Sequence, residues 1–390
     1  MKTITDTNWH WEKLVDVAEI IMGQSPPGDT YHNFPKGMPF FQGKTDFGEI
    51  HPITRMYCSA PTRIAEPNDI LISVRAPVGP TNIAQVPCCI GRGLAAIRPQ
   101  PKLEVFYLLY FLRFYETKLA NSGRGSTFDA IGRDDLENII IPLPPLDEQR
   151  RIAAILQRAD RLRRLRRFSR QLSDTFLQSV FLQMFGDFRI NPSRYKIQRL
   201  DDLADIVSGI TKGQKYGSRE TFEIPYLRVA NVQAGYLDLS EIKTISVPFS
   251  EAEPLWLQVG DVLLTEGGDF DKLGRGAVWN GEILKCIHQN HIFRTRLNQK
   301  YILPHYFEIF LLSEFARQYF LGASKQTTNL ASINMTQLKN LPVPLPNMRE
   351  QQKFVDVYNQ HYTIKKTQDE SSRQSEHLFQ TLLARAFSEI

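Results

Sequence analysis

The chain carries the same helix start twice. The segment IPLPPLDEQRRIAAIL at 141–156 and the segment VPLPNMREQQKFVDVY at 343–358 lie 202 residues apart, and each places prolines directly before a run with helical apolar spacing. At that spacing the two halves align without a gap over 126–185, and upstream the match continues with smaller spacings, as loop insertions produce. The sequence therefore predicts two copies of one unit, roughly 1–186 and 187–390.

The first two thirds of each copy are predicted to form a mixed globular domain. Short β-branched runs, such as DILISV at 69–74 and DVLLTE at 261–266, predict strands. One longer segment in each copy, at 103–119 and at about 304–320, is apolar nearly all round and predicts a buried helix.

The last third of the first copy predicts one long helix. From 147 to 185 there is no Pro or Gly, and Gly186 ends the run. Apolar residues recur at spacings of three and four, at Ile152, Ile155, Ala159, Leu162, Leu165, Phe168, Leu172, Phe176 and Val180. About 38 residues rising 1.5 Å each make a rod of roughly 57 Å, which needs a packing partner. The matching partner is the second copy of this helix, at 349–388.

The predicted fold class is therefore α+β. Two tandem, pseudo-repeated globular α/β domains are expected at 1–145 and 187–347, joined by two long helices at 146–186 and 348–390. We expect the two helices to pack against each other as an antiparallel coiled coil.

Charge suggests a register for this helix pair. The first helix carries nine arginines between 150 and 170, an excess that repels itself along the helix. An antiparallel pairing is predicted to place Asp369 and Glu370 opposite Arg163–Arg167; the alternative is that these charges only form a solvated face. The segment KKTQDESSRQSE at 365–376 has almost no apolar stripe, so we expect loose pairing there.

Composition narrows the class of protein only in part. The net charge of +5 and the pI near 8.9 are compatible with nucleic-acid binding but do not establish it. Four cysteines form no paired framework and no secretory signal precedes Trp9, so a reducing cytoplasm is expected. The longest apolar run, at 103–114, is too short to cross a bilayer, so no membrane partner is expected.

No pattern in the sequence predicts catalysis or a bound metal. SGRGST at 122–127 lacks the Gly-Lys-Ser/Thr ending of a phosphate loop, and no GxGxxG or adenine-methyltransferase motif is present. Cys286 and His288 would face one side of a strand and His291 the other, which argues against a metal site. A nuclease-like set of Asp261, Glu266, Glu282 and Lys285 has no counterpart in the first copy, so Asp261 is interpreted as structural.

Two stretches carry a resemblance to a known family. STFDAIGRDDLENIIIPLPPLDEQ at 126–149 and TTNLASINMTQLKNLPVPLPNMREQ at 327–351 occupy matching places in the two copies, each before a long helix. In this arrangement the whole chain resembles the specificity subunit of type I restriction-modification systems.

The resemblance implies a non-catalytic role in a larger complex. The globular parts would be target recognition domains that read an asymmetric, two-part sequence in double-stranded DNA, and the helices would be a spacer. Two modification subunits would use S-adenosylmethionine to make N6-methyladenine, and two restriction subunits would be ATP-driven translocase-nucleases. No cofactor is expected on this chain; S-adenosylmethionine, ATP and Mg would belong to the partners.

Candidate DNA-binding residues lie on Gly-rich, partly basic loops at equivalent places in the two copies. Base reading requires Arg, Lys, Asn and Gln at groove edges, with further polar side chains on phosphates. In the first copy the candidates are Gln24, Lys44, Arg75, Arg92, Arg124 and Thr127. In the second copy they are Lys212, Lys215, Tyr216, Arg228, Asn231, Arg275, Asn290, Lys325, Gln326, Thr328 and Asn329. For each one the alternative is a solvated or capping role.

The predicted partner-binding residues are Glu148, Gln149, Glu350 and Gln351, where the copies are most alike. The alternative is that both segments only start a helix against a domain, since acidic residues favour a helix N-terminus. Three other functions stay open. They are an enzyme with unrecognised catalytic residues, a coiled-coil scaffold that reads no DNA, and the specificity subunit of a modification-only or related type II system.

Overall fold

The computed structural model describes residues 9–122, 130–190, 194–268, 273–326 and 331–387, apart from the side chains of residues 122, 268, 325 and 326. The chain divides into two compact units. Unit 1 consists of Met1–Phe168 with Glu370–Ile390, and unit 2 consists of Ser169–Asp369. Each unit thus combines one globular domain with parts of both long helices.

Unit 1 is built on a four-stranded and a five-stranded sheet. Its strands are β1 His10–Lys13, β2 Ala18–Met22, β3 Tyr31–His32, β4 Met38–Phe41, β5 Met56–Cys58, β6 Ile64–Ala65, β7 Ile70–Ser73, β8 Thr81–Ile83, β9 Cys88–Ile90, β10 Leu94–Pro99 and β11 Ile140–Leu143. The sheet orders are β2-β10-β7-β8 and β3-β5-β4-β9-β6, and β1 pairs with β11. Its helices are α1 Leu14–Val17, α2 Val105–Ser122, α3 Arg133–Glu137 and the start of α4 Leu146–Phe185.

The predicted strand at 69–74 is confirmed as β7, and its continuous apolar sequence has a structural reason. Ile70 and Ile72 pack in one core cluster with the α2 residue Tyr107, while Leu71 packs in another with Phe41. Because both faces of the strand are buried, all of its positions are apolar or small rather than alternating with polar ones.

Unit 2 repeats this arrangement, but its second sheet has three strands where that of unit 1 has five. Its strands are β12 Lys196–Arg199, β13 Ala204–Ser208, β14 Phe222–Leu227, β15 Lys243–Val247, β16 Val262–Thr265, β17 Gly267–Gly268, β18 Gly276–Val278, β19 Ile287–His288, β20 Ile292–Leu297, β21 Lys325–Gln326, β22 Ala331–Ser332 and β23 Pro342–Leu345. The sheet orders are β13-β20-β16-β18, β15-β14-β19 and β17-β22-β21, and β12 pairs with β23. The helices are α5 Phe249–Ala252, α6 Pro304–Leu311, α7 Glu314–Ala323, α8 Met335–Lys339 and α9 Met348–Phe387.

The single helix predicted at about 304–320 is wrong, because the structure has two helices, α6 and α7. Ser313 adopts an extended conformation between them, and its hydroxyl accepts a hydrogen bond from the Ala316 N–H at 3.3 Å. A serine in this position satisfies an otherwise unpaired amide and so starts a new helix.

The internal repeat extends to individual hydrogen bonds. Tyr107 donates from its hydroxyl to the Pro142 carbonyl at 2.9 Å, and Tyr306 donates to the Pro344 carbonyl at 2.8 Å. Each bond fastens the buried helix of its unit to the proline segment that precedes a long helix.

Both long helices contribute to the core of unit 1. Ile152 and Leu156 of α4 share one cluster with Phe379 and Phe387 of α9. Arg163 lies over the Phe379 ring at 3.9 Å and pairs with Glu376 at 3.0 Å. These contacts bring the early part of α4 against the late part of α9.

In unit 2 the late part of α4 contacts the early part of α9. Phe185 of α4 meets Phe354 of α9, with ring centroids 5.7 Å apart. Between the helices, Asp174 pairs with Lys365 at 2.7 Å and Ser173 donates to Gln368 at 2.6 Å. The polar segment 365–369 of α9 therefore contacts α4 through polar side chains.

Two expectations about the helix pair are corrected. Asp369 pairs with Arg170 at 3.0 Å, and Glu370 pairs with Arg373 of its own helix. The α9 acid that pairs with Arg163 is Glu376. The second correction concerns the predicted apolar stripe of α4, because six of its nine members are 37 to 58% exposed. They are Ile155, Leu162, Leu165 and Phe168 in unit 1 and Leu172 and Phe176 in unit 2.

Among the helices that the structure describes, none is both long enough and apolar enough to cross a membrane.

Candidate nucleic-acid interface

Three predicted DNA-binding cations converge on one concave surface of unit 1. Lys44 follows β4, Arg75 follows β7, and Arg92 lies between β9 and β10. Ser73 lies opposite Leu94 in the β7-β10 ladder, so the residues just beyond these two positions share one edge. The three cations, with Tyr31 and Gln42 among their neighbours, line a cavity of about 440 Å³.

Glycines allow the loops around this cavity to approach each other closely. A Cβ atom on Gly93 would lie 2.2 Å from the Gln42 carbonyl oxygen, and one on Gly23 would lie 2.2 Å from the Gly91 carbonyl oxygen. No side chain fits at such distances, so both positions require glycine.

The cavity of unit 1 is electropositive. Lys44, Arg75 and Arg92 are exposed, and none of them forms a salt bridge with another residue that the structure describes. Gln24 is also exposed and precedes Ser25, which lines the cavity. Unpaired cations beside amide and hydroxyl groups can bind phosphates or guanine edges.

Unit 2 has the same backbone frame with different side chains. The Val74 N–H donates to the Gly93 carbonyl at 3.0 Å, and the Glu266 N–H donates to the His291 carbonyl at 3.0 Å. Ile131 and Ile333 donate in turn to the carbonyls of Val74 and Glu266, at 3.0 and 2.8 Å. By these bonds Glu266 occupies the place of Val74, and His291 occupies the place of Gly93.

Four of the predicted residues in unit 2 lie on its accessible loops. Lys212 and Lys215 are exposed and have no salt bridge to any described residue. Tyr216 is half-buried, packs against the cluster around Ile224, and has its pKa raised by burial. Asn290 is half-buried.

Three other predicted residues make internal contacts. Asn231 is 3% exposed; its amide donates to the carbonyls of Asp238 and Glu241, and its oxygen accepts from the Arg228 N–H. Its prediction as a base reader is wrong, because every polar atom of the side chain is used in closing a turn. Arg228 pairs with Glu241 at 3.2 Å, and Arg275 donates to Gln233 at 3.0 Å.

The side chains of the remaining candidates lie outside the described part of the structure. Arg124, Thr127, Thr328 and Asn329 lie outside the described residues. For Lys325 and Gln326 only the backbone is described, in β21.

Gln149 and Gln351 have an internal role in place of the partner contact predicted for them. Both are completely buried. Gln149 accepts from the Glu104 N–H and donates to the carbonyls of Lys102 and Pro144, and Gln351 makes the same three bonds with Leu303, Tyr301 and Pro346. With all side-chain polar atoms occupied, neither glutamine presents a group to a partner.

The two predicted glutamates are more accessible. Glu148 is 30% exposed and pairs with Arg151 at 2.6 Å. Glu350 is half-buried; its side chain accepts from the Asn347 N–H at 3.2 Å and its N–H donates to the Asn347 side chain at 3.0 Å, a reciprocal pair that caps α9. Their contact with a partner stays a prediction.

The cysteine and histidines of the second copy do not form a metal centre. Burial raises the pKa of the Cys286 thiol to about 12 and lowers the pKa of the His288 imidazole to about 4. His291 is exposed, and its Nδ1 lies 2.6 Å from a Glu266 oxygen. Among the described residues no group of three His, Cys, Asp or Glu side chains is placed to hold a metal ion.

Comparison with known proteins gives consistent matches. A family model described as type I restriction modification DNA specificity domain matches residues 7–169 and 192–371. The chain is 46% identical over 174 residues to a putative type I restriction enzyme MjaX specificity subunit of Methanocaldococcus jannaschii, which covers 44% of this chain and 41% of that relative. It is 27% identical over 353 residues to the type I restriction enzyme EcoKI specificity subunit of Escherichia coli, covering 82% and 74%.

A solved structure shares the fold. The S subunit of a type I restriction-modification system from M. genitalium superposes with a TM-score of 0.58 at 16% identity, over 99% of this chain and 97% of that chain.

Proposed function

Since this chain belongs to the type I restriction-modification DNA specificity family, we propose that it selects the DNA sequence on which such a complex acts and performs no chemistry itself. Each unit reads one half of a two-part target in double-stranded DNA. Methylation, ATP hydrolysis and cleavage belong to partner subunits.

The observation that carries this proposal is the cavity of unit 1. Lys44, Arg75 and Arg92 line it, and none of them has a salt bridge to a described residue. Three exposed cations on one concave surface raise the local positive potential, and DNA phosphates are the anions that such a surface attracts. Unit 2 keeps the same backbone frame but changes the side chains, which supports a different half-site for each unit.

The long helices are proposed to be the spacer and the attachment site. The contacts of Arg163 with Glu376 in unit 1 and of Asp174 with Lys365 in unit 2 support an antiparallel coiled coil. The apolar residues that α4 leaves exposed, among them Leu165 and Leu172, support docking of apolar partner surfaces. We propose two modification subunits, using S-adenosylmethionine, and two restriction subunits, using ATP and Mg, as the partners.

A base-resolution methylation map tests the proposal. DNA from cells that express this chain with its cognate modification subunit is compared with DNA from cells that express the modification subunit alone. We expect N6-methyladenine in a two-part motif that appears only when both chains are present. Methylation that does not depend on this chain would refute the proposal and favour a protein scaffold.

A further inference from the structure

We propose that Gln42 is a specificity-determining residue that makes a two-bond contact with an adenine in the half-site read by unit 1. Its side-chain amino group donates to N7 of the base, and its side-chain oxygen accepts from the N6 amino group. This inference rests on the proposed function and deepens it, because it names a base that the chain recognises and the side chain that recognises it.

The position of Gln42 on the cationic cavity is the first support. Gln42 directly follows β4 and lines the cavity beside the three unpaired cations of unit 1. Its amide nitrogen lies 3.6 Å from Sδ of Met56, which packs on the same small cluster around Phe40 as Tyr31 does. Tyr31 also lines the cavity. The amide therefore lies on the side of the five-stranded sheet from which Tyr31 reaches the cavity.

The backbone of Gln42 is fixed on two sides. Its N–H donates to the Asp46 carboxylate at 2.7 Å. Its carbonyl oxygen is approached so closely by the turn at 91–93 that a Cβ atom on Gly93 would lie 2.2 Å from it. A side chain on a backbone held in this way presents its polar atoms in a reproducible position, as base reading requires.

The amide group of Gln42 retains bonding capacity. The side chain is exposed, its oxygen has no hydrogen-bond partner among the described residues, and its nitrogen contacts only the Met56 sulfur there, a weak acceptor. The hydroxyl of Ser73, by contrast, is buried and donates to the Arg75 carbonyl. Gln42 can therefore donate to a ligand and accept from it at the same time.

Unit 2 has a different side chain in the same turn. The last residues of β4 and β14, Phe41 and Leu227, each accept a hydrogen bond from the residue that follows the paired strand, at 2.8 and 2.9 Å. Gln42 and Arg228 thus occupy equivalent places, and the N–H of each donates to a side-chain oxygen, at 2.7 and 2.8 Å. The turn needs this backbone bond and not an amide side chain, which is expected of a residue that differs with the half-site.

Base chemistry favours adenine as the ligand of this amide. In the major groove adenine presents an acceptor at N7 beside a donor at N6, whereas guanine presents two acceptors. The cations of the cavity suit guanine or phosphate, and Gln42 is the amide side chain among the described residues that line it. A carboxylate in the same place would only accept and should prefer the N4 amino group of cytosine.

The first test is a base-resolution methylation map for the wild-type chain, Gln42→Ala and Gln42→Glu, each expressed in full length with its cognate modification subunit. The matched controls are Gln85→Ala and Gln85→Glu. Gln85 is an exposed glutamine of unit 1 that lies outside the cavity lining and has no side-chain hydrogen bond to a described residue. Thermal unfolding of each purified variant confirms that it is folded.

We expect one half-site of the wild-type motif to require an A·T pair at a position distinct from the methylated adenine. Gln42→Ala should reduce discrimination at this position by roughly tenfold to a hundredfold and leave the other half-site unchanged. Gln42→Glu should move the preference there toward C·G, and both Gln85 variants should preserve the motif.

A second test removes one atom of the base. 7-Deazaadenine lacks the N7 acceptor, and it is placed at the assigned position of a duplex that carries the mapped target. Fluorescence anisotropy of the complex with the modification subunit should show a loss of affinity of roughly threefold to tenfold for the wild type. The Gln42→Ala complex should show no such loss, which separates a base contact from a purely structural role.

Two failures are distinguishable. If the wild-type chain gives no motif of its own, the proposed DNA-reading function fails, and this inference fails with it. If the wild-type motif is present but both Gln42 variants retain it, only the assignment of Gln42 is overturned. The same holds if the altered position is not an A·T pair, or if 7-deazaadenine weakens both complexes equally.

Discussion

Arg296 donates two hydrogen bonds of 2.8 Å, from Nε and Nη2, to the two carboxylate oxygens of Asp261. The carboxylate is 1% exposed and also accepts the Gln258 N–H at 2.7 Å. In the first copy Arg98 binds Asp69 in the same two-bond manner, at 3.0 and 2.9 Å. The interpretation of Asp261 as a structural residue at a strand start is thereby confirmed, because the carboxylate is fully engaged.

The first prediction concerns this pair. Arg296→Ala should lower the free energy of unfolding of unit 2 by about 3 kcal/mol, because it leaves a buried carboxylate without its counter-ion. Urea unfolding followed by tryptophan fluorescence, to which Trp256 and the buried Trp279 contribute in unit 2, measures the change.

The matched control is Arg317→Ala. Arg317 pairs with Glu314 on the surface of α7, where both side chains are more than 40% exposed. Loss of such a pair should change stability by less than about 1 kcal/mol. Equal effects of the two variants would contradict the role given to Arg296.

The second prediction separates helix positioning from partner docking. Gln149→Leu leaves the Glu104 N–H and the carbonyls of Lys102 and Pro144 unpaired, so it should destabilise unit 1 by about 2 to 4 kcal/mol. Glu148→Ala removes only a partly exposed salt bridge and should cost less than about 1 kcal/mol.

Co-purification with the modification subunit supplies the second measurement. Glu148→Ala should weaken retention of the modification subunit while the chain remains folded. Full retention by Glu148→Ala would remove Glu148 from the docking surface and leave the segment with a structural role alone.

The sequence predicted the repeat, the buried strands and the existence of both long helices, because each has a strong periodic signal of its own. It did not predict which face of α4 packs. The packed face includes Asp160, which is completely buried and binds Arg163 at 2.7 Å and Arg113 at 3.4 Å. A charged residue breaks an apolar pattern, and its partner Arg113 lies in a distant part of the sequence, so the apolar spacing alone favours a more continuous stripe that is largely exposed.

The candidate site, too, could be predicted only in part from the sequence. The loops that carry Lys44, Arg75 and Arg92 were predicted from Gly-rich, basic sequence, and the structure brings these three residues together. Asn231 is of a residue type that can read bases, but its side chain closes a turn. The first copy holds a signal for that role, because Asp46 accepts the Gln42 N–H at 2.7 Å in its own tight turn.

The third prediction concerns pH. Burial lowers the pKa of His288 to about 4, so the folded protein holds this ring neutral while the unfolded chain protonates it below about 6.5. The unfolded state then binds more protons, so the stability of unit 2 should fall as pH drops from about 6.5 to about 4, by up to about 3 kcal/mol. The measurement is urea unfolding at a series of pH values.

The control for this prediction is His288→Ile, because the first copy has Ile90 at the equivalent place. Carboxylates also titrate at low pH, so the difference between the wild type and His288→Ile isolates the contribution of this ring. If the two pH profiles are parallel between pH 6.5 and 4, the destabilisation does not come from His288.

The last prediction concerns the cationic cavity of unit 1. Arg92→Ala should weaken DNA binding and reduce the slope of log K against log salt by about 1, because each phosphate contact releases roughly one counter-ion from the duplex. Fluorescence anisotropy of the complex with the modification subunit, on a duplex carrying the mapped target at several salt concentrations, measures both quantities. Lys300→Ala is the control. Lys300 is exposed, follows the end of β20 while His291 precedes its start, and has no salt bridge to a described residue. An unchanged slope with a relaxed base preference would place Arg92 on a base edge, and no change in either would remove it from the interface.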